Sequence, residues 1–124
     1  MTGALRWGVK QSLHDYVRSS EGTIEAGDGA RLDGDDVVFP ADGSLEGAFT
    51  GFVRFVAHGG LMDWLIAQPR LDENGTRLTL AGRRGARVPF ATIGEEGVRL
   101  TVDGSLLLGS FYPPGTALAP LRVE

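Results

Sequence analysis

The stretch Trp7-Gly8-Val9-Lys10-Gln11-Ser12-Leu13-His14-Asp15-Tyr16-Val17 is the one segment of this chain with a clear helical period. Four residues in this stretch and just before it follow one another at spacings of four, three and four positions: Leu5, Val9, Ser12 and Tyr16. At about 3.6 residues per turn they share one face, so we predict a helix over residues 4–19. This face ends in a tyrosine with a serine one turn before it. His14 falls on another face and is predicted to be solvated.

The rest of the chain is typical of short strands separated by glycine turns. Apolar runs bounded by turn residues predict strands or hairpin arms at residues 23–26, 37–39, 46–58, 61–68, 70–82, 87–93, 97–103 and 105–112. Within 70–82, Asn74-Gly75 is the strongest two-residue hairpin signal. This regular spacing predicts a mainly β domain, a sandwich or barrel of short antiparallel strands, with one N-terminal helix that carries Tyr16.

The predicted strand over residues 46–58 has large apolar groups on both faces. Alternation places five small or apolar residues on one face: Phe49, Gly51, Val53, Phe55 and Ala57. Phe52 and Val56 lie on the other face and lead to His58. Because a solvated strand face is normally polar, we expect the helix, or a flat apolar ligand beside the helix, to cover this second face.

Length and composition limit the classes of function. The 124 residues predict one domain spanning 1–124. A formal net charge of -4 disfavours nucleic-acid binding, which depends on clustered Lys and Arg, and the absence of cysteine excludes disulfides and thiolate metal sites. No apolar run reaches roughly 20 residues, so we expect no membrane insertion. The start of the chain has no signal-peptide pattern, so we expect a cytoplasmic location for a complete chain, and a secreted or cell-surface location for an excised mature domain.

Few residue patterns point to catalysis, whereas Tyr16 and His58 suggest iron chemistry. The chain lacks the G-x-S-x-G, G-x-x-x-x-G-K-[ST] and H-E-x-x-H motifs, so no enzyme is predicted. Phenols ordinarily have a pKa of about 10, but ferric iron binds a phenolate strongly, and a neutral imidazole beside the oxygen favours the ionised form. Such a pair suits a haem, since tyrosine is a known axial ligand. A buried tyrosine bonded to a histidine is also a common structural pair.

Several separated motifs resemble the HtaA family of haem-binding domains, known from haem uptake in corynebacteria and other actinobacteria. Their order and spacing agree across nearly the whole chain: residues 5–12 with Tyr16, residues 51–63, Pro69-Arg70 with residues 74–80, residues 109–116, and Pro120-Leu121. The first reads LRWGVKQS and the second GFVRFVAHGGLMD. A match of several ordered motifs is far more specific than a lone tyrosine and histidine.

The resemblance implies an unusual β-sandwich with short helices and a ferric haem b as the bound group. It implies that Tyr16 is the axial ligand of the haem iron and that His58 forms a hydrogen bond to Tyr16. Ser12, which matches the serine of the same helix, is then expected near a haem propionate. The implied function is to hold ferric haem through a tyrosinate and to take part in haem uptake, transfer or storage, with a haem donor or acceptor protein as partner.

Other residues are weaker candidates for contact with a haem. Face geometry suggests porphyrin contact for Val9, Phe52 and Val56, although core packing explains each of them as well. The guanidinium groups of Arg54, Arg84 and Arg87 suit propionates but are also ordinary surface charges. Trp7 and Trp64 are expected in the core. Two alternatives remain open at this point: a binding module for another flat apolar or sugar-like ligand, and a haem-dependent peroxidase-like enzyme.

Overall fold

Residues 3–124 are described by the structure, a computed structural model, and strands predominate among them. In this part of the chain the strands are β1 (Leu5–Trp7), β2 (Thr23–Gly27), β3 (Arg31–Asp33), β4 (Asp36–Phe39), β5 (Phe52–Ala57), β6 (Met62–Ala67), β7 (Arg70–Asp72), β8 (Arg77–Ala81), β9 (Arg87–Gly94), β10 (Gly97–Leu100), β11 (Ala117–Leu118) and β12 (Leu121–Val123). The helices are α1 (Gln11–Ser19) and α2 (Val102–Leu107), and short 3-10 turns occupy His58–Gly60 and Arg83–Gly85.

The described strands form three sheets, and every pairing between them is antiparallel. The sheet orders are β12-β1-β4-β3, β11-β10-β9-β8-β7 and β2-β5-β6. Their inner faces and one side of α1 enclose a single core that includes Trp7, Phe39, Phe49, Phe55 and Phe90. The predicted mainly β class, with antiparallel strands and an N-terminal helix that carries Tyr16, is confirmed.

The predicted helix over residues 4–19 is wrong in its first seven residues, because α1 begins only at Gln11. Leu5 belongs to β1, which lies between β12 and β4, and Val9 has a left-handed backbone with φ 67. Leu5 and Trp7 are buried while Arg6 between them faces outward, which is the two-residue period of a strand. Pairing with two neighbouring strands therefore overrode the local helical spacing.

The predicted strand over residues 105–112 is also wrong, because this segment contains the end of α2 and a turn. Thr101 caps the helix, since its Oγ1 accepts a hydrogen bond from the Gly104 backbone N–H at 2.9 Å. A Cβ on Gly104 would lie 2.3 Å from the Phe90 carbonyl oxygen, so only glycine allows the helix to approach β9 this closely. The threonine cap was the signal in the sequence that favoured a helix over a strand.

Strand β5 shows the predicted alternation, with Val53, Phe55 and Ala57 buried and Arg54 exposed. It begins at Phe52 rather than at residue 46, since Gly51 has a φ of 95 and packs against Ala30. The hairpin at Asn74-Gly75 is confirmed, because β7 and β8 pair on either side of it. Strand β5 is the centre of its sheet and leads directly to His58, so it determines where that histidine lies.

Candidate functional site

The structure brings Tyr16 and His58 into direct contact although 42 residues separate them in sequence. The Tyr16 Oη and the His58 Nε2 are 2.6 Å apart, and the two rings meet edge to face with centroids 5.7 Å apart. Tyr16 is half-buried in the last turns of α1, and His58 is exposed at the end of β5. The pair therefore lies at the protein surface, where a ligand can reach the oxygen.

Packing of α1 against β5 explains why these two side chains meet. Leu13, His14 and Val17 form the buried side of α1, and the His14 ring packs edge to face on Phe55 of β5 at a centroid distance of 5.2 Å. Immediately after β5, His58, Gly59 and Gly60 all have a positive φ, which reverses the chain before β6. This reversal places the imidazole of His58 beside the phenol at the end of the helix.

The Tyr16 and His58 side chains lie in an open, mostly apolar cleft of about 200 Å³. Its remaining walls are Leu61, Met62, Trp64 and Phe111. The Phe111 ring lies 5.4 Å from the Tyr16 ring and 5.8 Å from the Trp64 ring, measured between centroids. Leu61 is 93% exposed and Phe111 is 53% exposed, which is an unusually high exposure for large apolar side chains. Surfaces of this kind are typical of ligand sites.

The polar margin of this region lies at the start of α1, near Ser12. The Ser12 Oγ and the Tyr112 Oη are 3.4 Å apart, and Tyr112 packs against Phe111 with centroids 5.1 Å apart. Lys10 lies on the far side of Tyr112, with its Nζ 5.5 Å from the ring centroid and donating to the Ala117 carbonyl oxygen at 2.9 Å. Ser12 is therefore on the same helix face as Tyr16. It lies next to the aromatic cluster, which consists of Tyr16, Trp64, Phe111 and Tyr112.

Three candidate porphyrin contacts are not among the side chains that line the cleft. Val9 is completely buried, and Phe52 and Val56 lie half-buried along β5, where the Phe52 ring packs over Gly27. Trp7 is buried in the core as predicted. Trp64 was also expected in the core. It is half-buried and packs against the core, but it also lines the cleft.

The candidate propionate arginines are occupied elsewhere or far along the chain from the cleft. Arg54 forms a two-pronged ion pair with Asp63, and the hydrogen bond from Arg54 lowers the pKa of the Asp63 carboxyl. Arg87 donates to Thr79 and to the Gln68 carbonyl, and burial lowers its pKa. Arg84 is an exposed residue of the turn between β8 and β9. These arginines do not line the Tyr16 cleft.

His14 is buried, and the prediction of a solvated residue is wrong. It is 1% exposed, and its Nε2 lies 2.7 Å from the Gly8 carbonyl oxygen. Because a carbonyl can only accept, that nitrogen carries the proton and donates. The prediction failed because Leu5 and Val9 were counted in the helical stripe, which shifted the expected buried face of α1 by about one residue.

A family model for HtaA (Htaa) matches residues 2–87. The chain belongs to the HtaA family. Solved structures resemble this HtaA-family chain over almost its whole length. The N-terminal domain of HtaA from Corynebacterium glutamicum is 21% identical with a TM-score of 0.82, over 99% of this chain and 95% of that one. No curated protein sequence matches the chain significantly.

Two further solved structures have the same fold as this HtaA-family chain. The C-terminal domain of HtaA from Corynebacterium glutamicum is 23% identical with a TM-score of 0.78, over 99% of this chain and 94% of that one. The heme binding protein HtaB from the same organism is 24% identical with a TM-score of 0.77, over 98% of this chain and 91% of that one. At these identities the likeness establishes the fold.

Sequence reasoning on this HtaA-family chain missed three residues that line the cleft: Leu61, Met62 and Phe111. Phe111 stands in the segment SFYPPGT, which was recognisable only as a family motif, and its contact with Tyr16 depends on the turn after α2. Among residues 3–124 there is no group of three or more His, Cys, Asp or Glu side chains that could hold a bare metal ion. None of the helices described for these residues has the length and apolarity needed to cross a membrane.

Proposed function

We propose that this HtaA-family domain binds ferric haem through the Tyr16 phenolate, with His58 as hydrogen-bond partner, and takes part in haem uptake, transfer or storage. The observation that carries the proposal is the 2.6 Å contact between the Tyr16 Oη and the His58 Nε2 at an open aromatic cleft. HtaB, described as a heme binding protein, shares the fold over 98% of this chain, which supports the same class of ligand.

A phenol oxygen with an imidazole as its hydrogen-bond partner suits haem iron better than other metals. The haem supplies a ferric centre that favours an anionic oxygen ligand. While the phenol is protonated, the His58 Nε2 accepts its proton in the hydrogen bond. When the phenol is deprotonated, a protonated Nε2 donates to the anionic oxygen and stabilises it.

The shape of the cleft also fits a flat, amphipathic ligand. Trp64, Phe111 and Leu61 offer aromatic and aliphatic surface beside the phenol oxygen. The volume of about 200 Å³ lies below the ~300 Å³ at which pockets begin to enclose drug-sized ligands. The cleft therefore covers only part of a macrocycle and leaves the remainder exposed. An exposed ligand can be passed to another protein without unfolding of the domain, and we propose Ser12 as a partner of one propionate.

We infer that the chain binds haem without catalysing a reaction on it. The sequence has two histidines, and both have a partner. His14 is buried and donates to the Gly8 carbonyl, and His58 is bonded to Tyr16. Neither imidazole is available as an acid or base on the opposite side of a haem held by Tyr16. Peroxide turnover by the loaded protein should therefore not exceed that of free hemin.

Absorbance titration with hemin tests the proposal, and the second tyrosine provides a matched control. Tyr16→Phe removes the oxygen ligand while keeping the ring, and we expect hemin affinity to fall by about 100-fold or more. Tyr112→Phe removes the other phenol oxygen and should keep the spectrum of the tyrosinate complex. If Tyr16→Phe binds hemin with the affinity and spectrum of the wild type, Tyr16 is not the ligand.

A further inference from the structure

Lys10 is a charged side chain at the edge of the aromatic cluster that the proposed function does not use. It is the only lysine of the chain, in contrast to eleven arginines. Its Nζ lies 5.5 Å from the Tyr112 ring centroid and donates one hydrogen bond, to the Ala117 carbonyl at 2.9 Å. An ammonium group has three donors, so two remain for an incoming acceptor. The Tyr112 ring and the Ala117 carbonyl hold this cation in a fixed position.

A continuous row of side chains connects the Tyr16 oxygen with the Lys10 ammonium. The Phe111 ring contacts the Tyr16 ring at 5.4 Å and the Tyr112 ring at 5.1 Å, and Tyr112 in turn meets Lys10 and Ser12. The row is apolar in the middle, carries the phenol and imidazole at one end, and carries hydroxyl groups and a cation at the other. A ligand that matches this row has a flat apolar body with an anionic group on one edge.

The separation along the helix agrees with such a ligand. Lys10 immediately precedes α1 and Tyr16 lies six residues further on, so at a rise of about 1.5 Å per residue their backbones are roughly 9 Å apart. A flat ligand held at the Tyr16 phenol can therefore extend along α1 towards Lys10. The first turn of α1 contains no acidic residue, so its positive end adds to the attraction of an anion.

Acidic groups near Lys10 limit the direction from which a carboxylate can approach. Asp15 and Asp36 line a groove whose walls also include Lys10, Gln11, Ser12 and residues 117–120. A carboxylate in that groove would be repelled by both. In the other direction Lys10 contacts the Tyr112 ring, whose hydroxyl lies beside the Ser12 hydroxyl, and the row of rings continues from there to Phe111 and Tyr16.

We infer that Lys10 is a specificity-determining residue that recognises a carboxylate arm of the bound tetrapyrrole and so selects acidic porphyrins over esterified or neutral ones. This inference rests on the proposed function, because it takes Tyr16 as the iron ligand. It adds a discrimination that iron ligation alone does not provide, since the phenolate binds the metal of any iron porphyrin equally.

Titrations with hemin and with hemin dimethyl ester test the inference, since the two ligands differ only in the charge of the two arms. We expect Lys10→Gln to weaken hemin binding by about tenfold, as for a lost hydrogen bond to a charged group, and to leave ester binding unchanged. Lys10→Arg should restore the preference for hemin. Arg31→Gln, a change of equal charge on exposed β3, should behave as wild type with both ligands.

Two results would overturn the assignment of Lys10. If Lys10→Gln weakens hemin and its ester equally, Lys10 only supports the fold at the start of α1. If neither ligand is affected, the carboxylates lie elsewhere. Both results leave the proposed function intact, provided that the wild type binds hemin through Tyr16. A wild type that binds neither ligand would overturn the proposed function and the role of Lys10 together.

Discussion

The two histidines of this chain make similar contacts to oxygen in contrasting surroundings. The His14 Nε2 lies 2.7 Å from the Gly8 carbonyl oxygen, and the His58 Nε2 lies 2.6 Å from the Tyr16 Oη. His14 is almost completely buried between α1 and Phe55, whereas His58 is exposed beside an open cleft. The length of the hydrogen bond is therefore nearly the same for a buried and for an exposed histidine.

The partner and the exposure of each ring distinguish the two. A carbonyl oxygen only accepts, so the His14 Nε2 must donate, and the contact has a single state. A phenol can lose its proton, so the contact between His58 and Tyr16 has two states that differ in charge. The region around His14 stabilises the position of α1, and the region around His58 offers a chemically adjustable oxygen at the surface.

The largest expected effect is the loss of stability in His14→Ala. This change leaves the buried Gly8 carbonyl with one partner fewer and opens a cavity beside Phe55, so we expect the free energy of unfolding to fall by about 3 kcal/mol. Urea denaturation followed by tryptophan fluorescence measures it. His14→Gln, which keeps a donor, should lose roughly half as much. An unfolding curve of His14→Ala that matches the wild type would show that the buried contact does not stabilise α1.

The next largest effect concerns ligand binding. His58→Ala removes the hydrogen-bond partner of the Tyr16 oxygen, and we expect hemin affinity to fall by about 2 kcal/mol, or roughly 30-fold. The free energy of unfolding should change by less than about 0.5 kcal/mol, since the side chain is exposed. If His58→Ala unfolds as readily as His14→Ala, the contrast between the two regions does not exist.

The smallest expected effect is a change in the pH dependence of the free energy of unfolding, and it arises in the region around His14. Hydrogen bonds from Arg18 and then Gln11 lower the pKa of Asp35 from 3.8 to about 2. Because the folded pKa is depressed, this stabilisation is present above pH 3.8 and is lost as the pH falls towards 2. We expect Asp35→Asn to reduce the free energy of unfolding by under about 1 kcal/mol at neutral pH and to flatten its decline in acid. An acid unfolding profile unchanged by Asp35→Asn would contradict this.

Much of the fold was predictable because local signals and tertiary pairing agreed. The alternation of residues 52–57 and the Asn74-Gly75 turn both predicted strands where the structure has them. At Leu5 and Val9 the local spacing indicated a helix, but backbone pairing with β4 and β12 decided otherwise. Strand β1 has only three residues, too few for their alternation to outweigh the helical spacing, and its partners are distant in sequence, so this pairing could not be anticipated.

The site was predictable in its polar residues and not in its walls. Tyr16, His58 and Ser12 were identified as candidates from the chemistry of phenol and imidazole and from the resemblance to HtaA domains. Phe111 and Leu61 were not, since an aromatic or leucine residue in a loop has the same sequence appearance whether it is in the core or in a cleft. Only the turn after α2 and the reversal at His58 bring these side chains to Tyr16.

The visible absorption spectrum of the hemin-loaded protein tests the central claim most directly. Ligation by the Tyr16 phenolate predicts a high-spin ferric spectrum with a phenolate-to-iron charge-transfer band, present in the wild type and absent in Tyr16→Phe. A low-spin bis-histidine spectrum, or a charge-transfer band that survives Tyr16→Phe, would contradict the account.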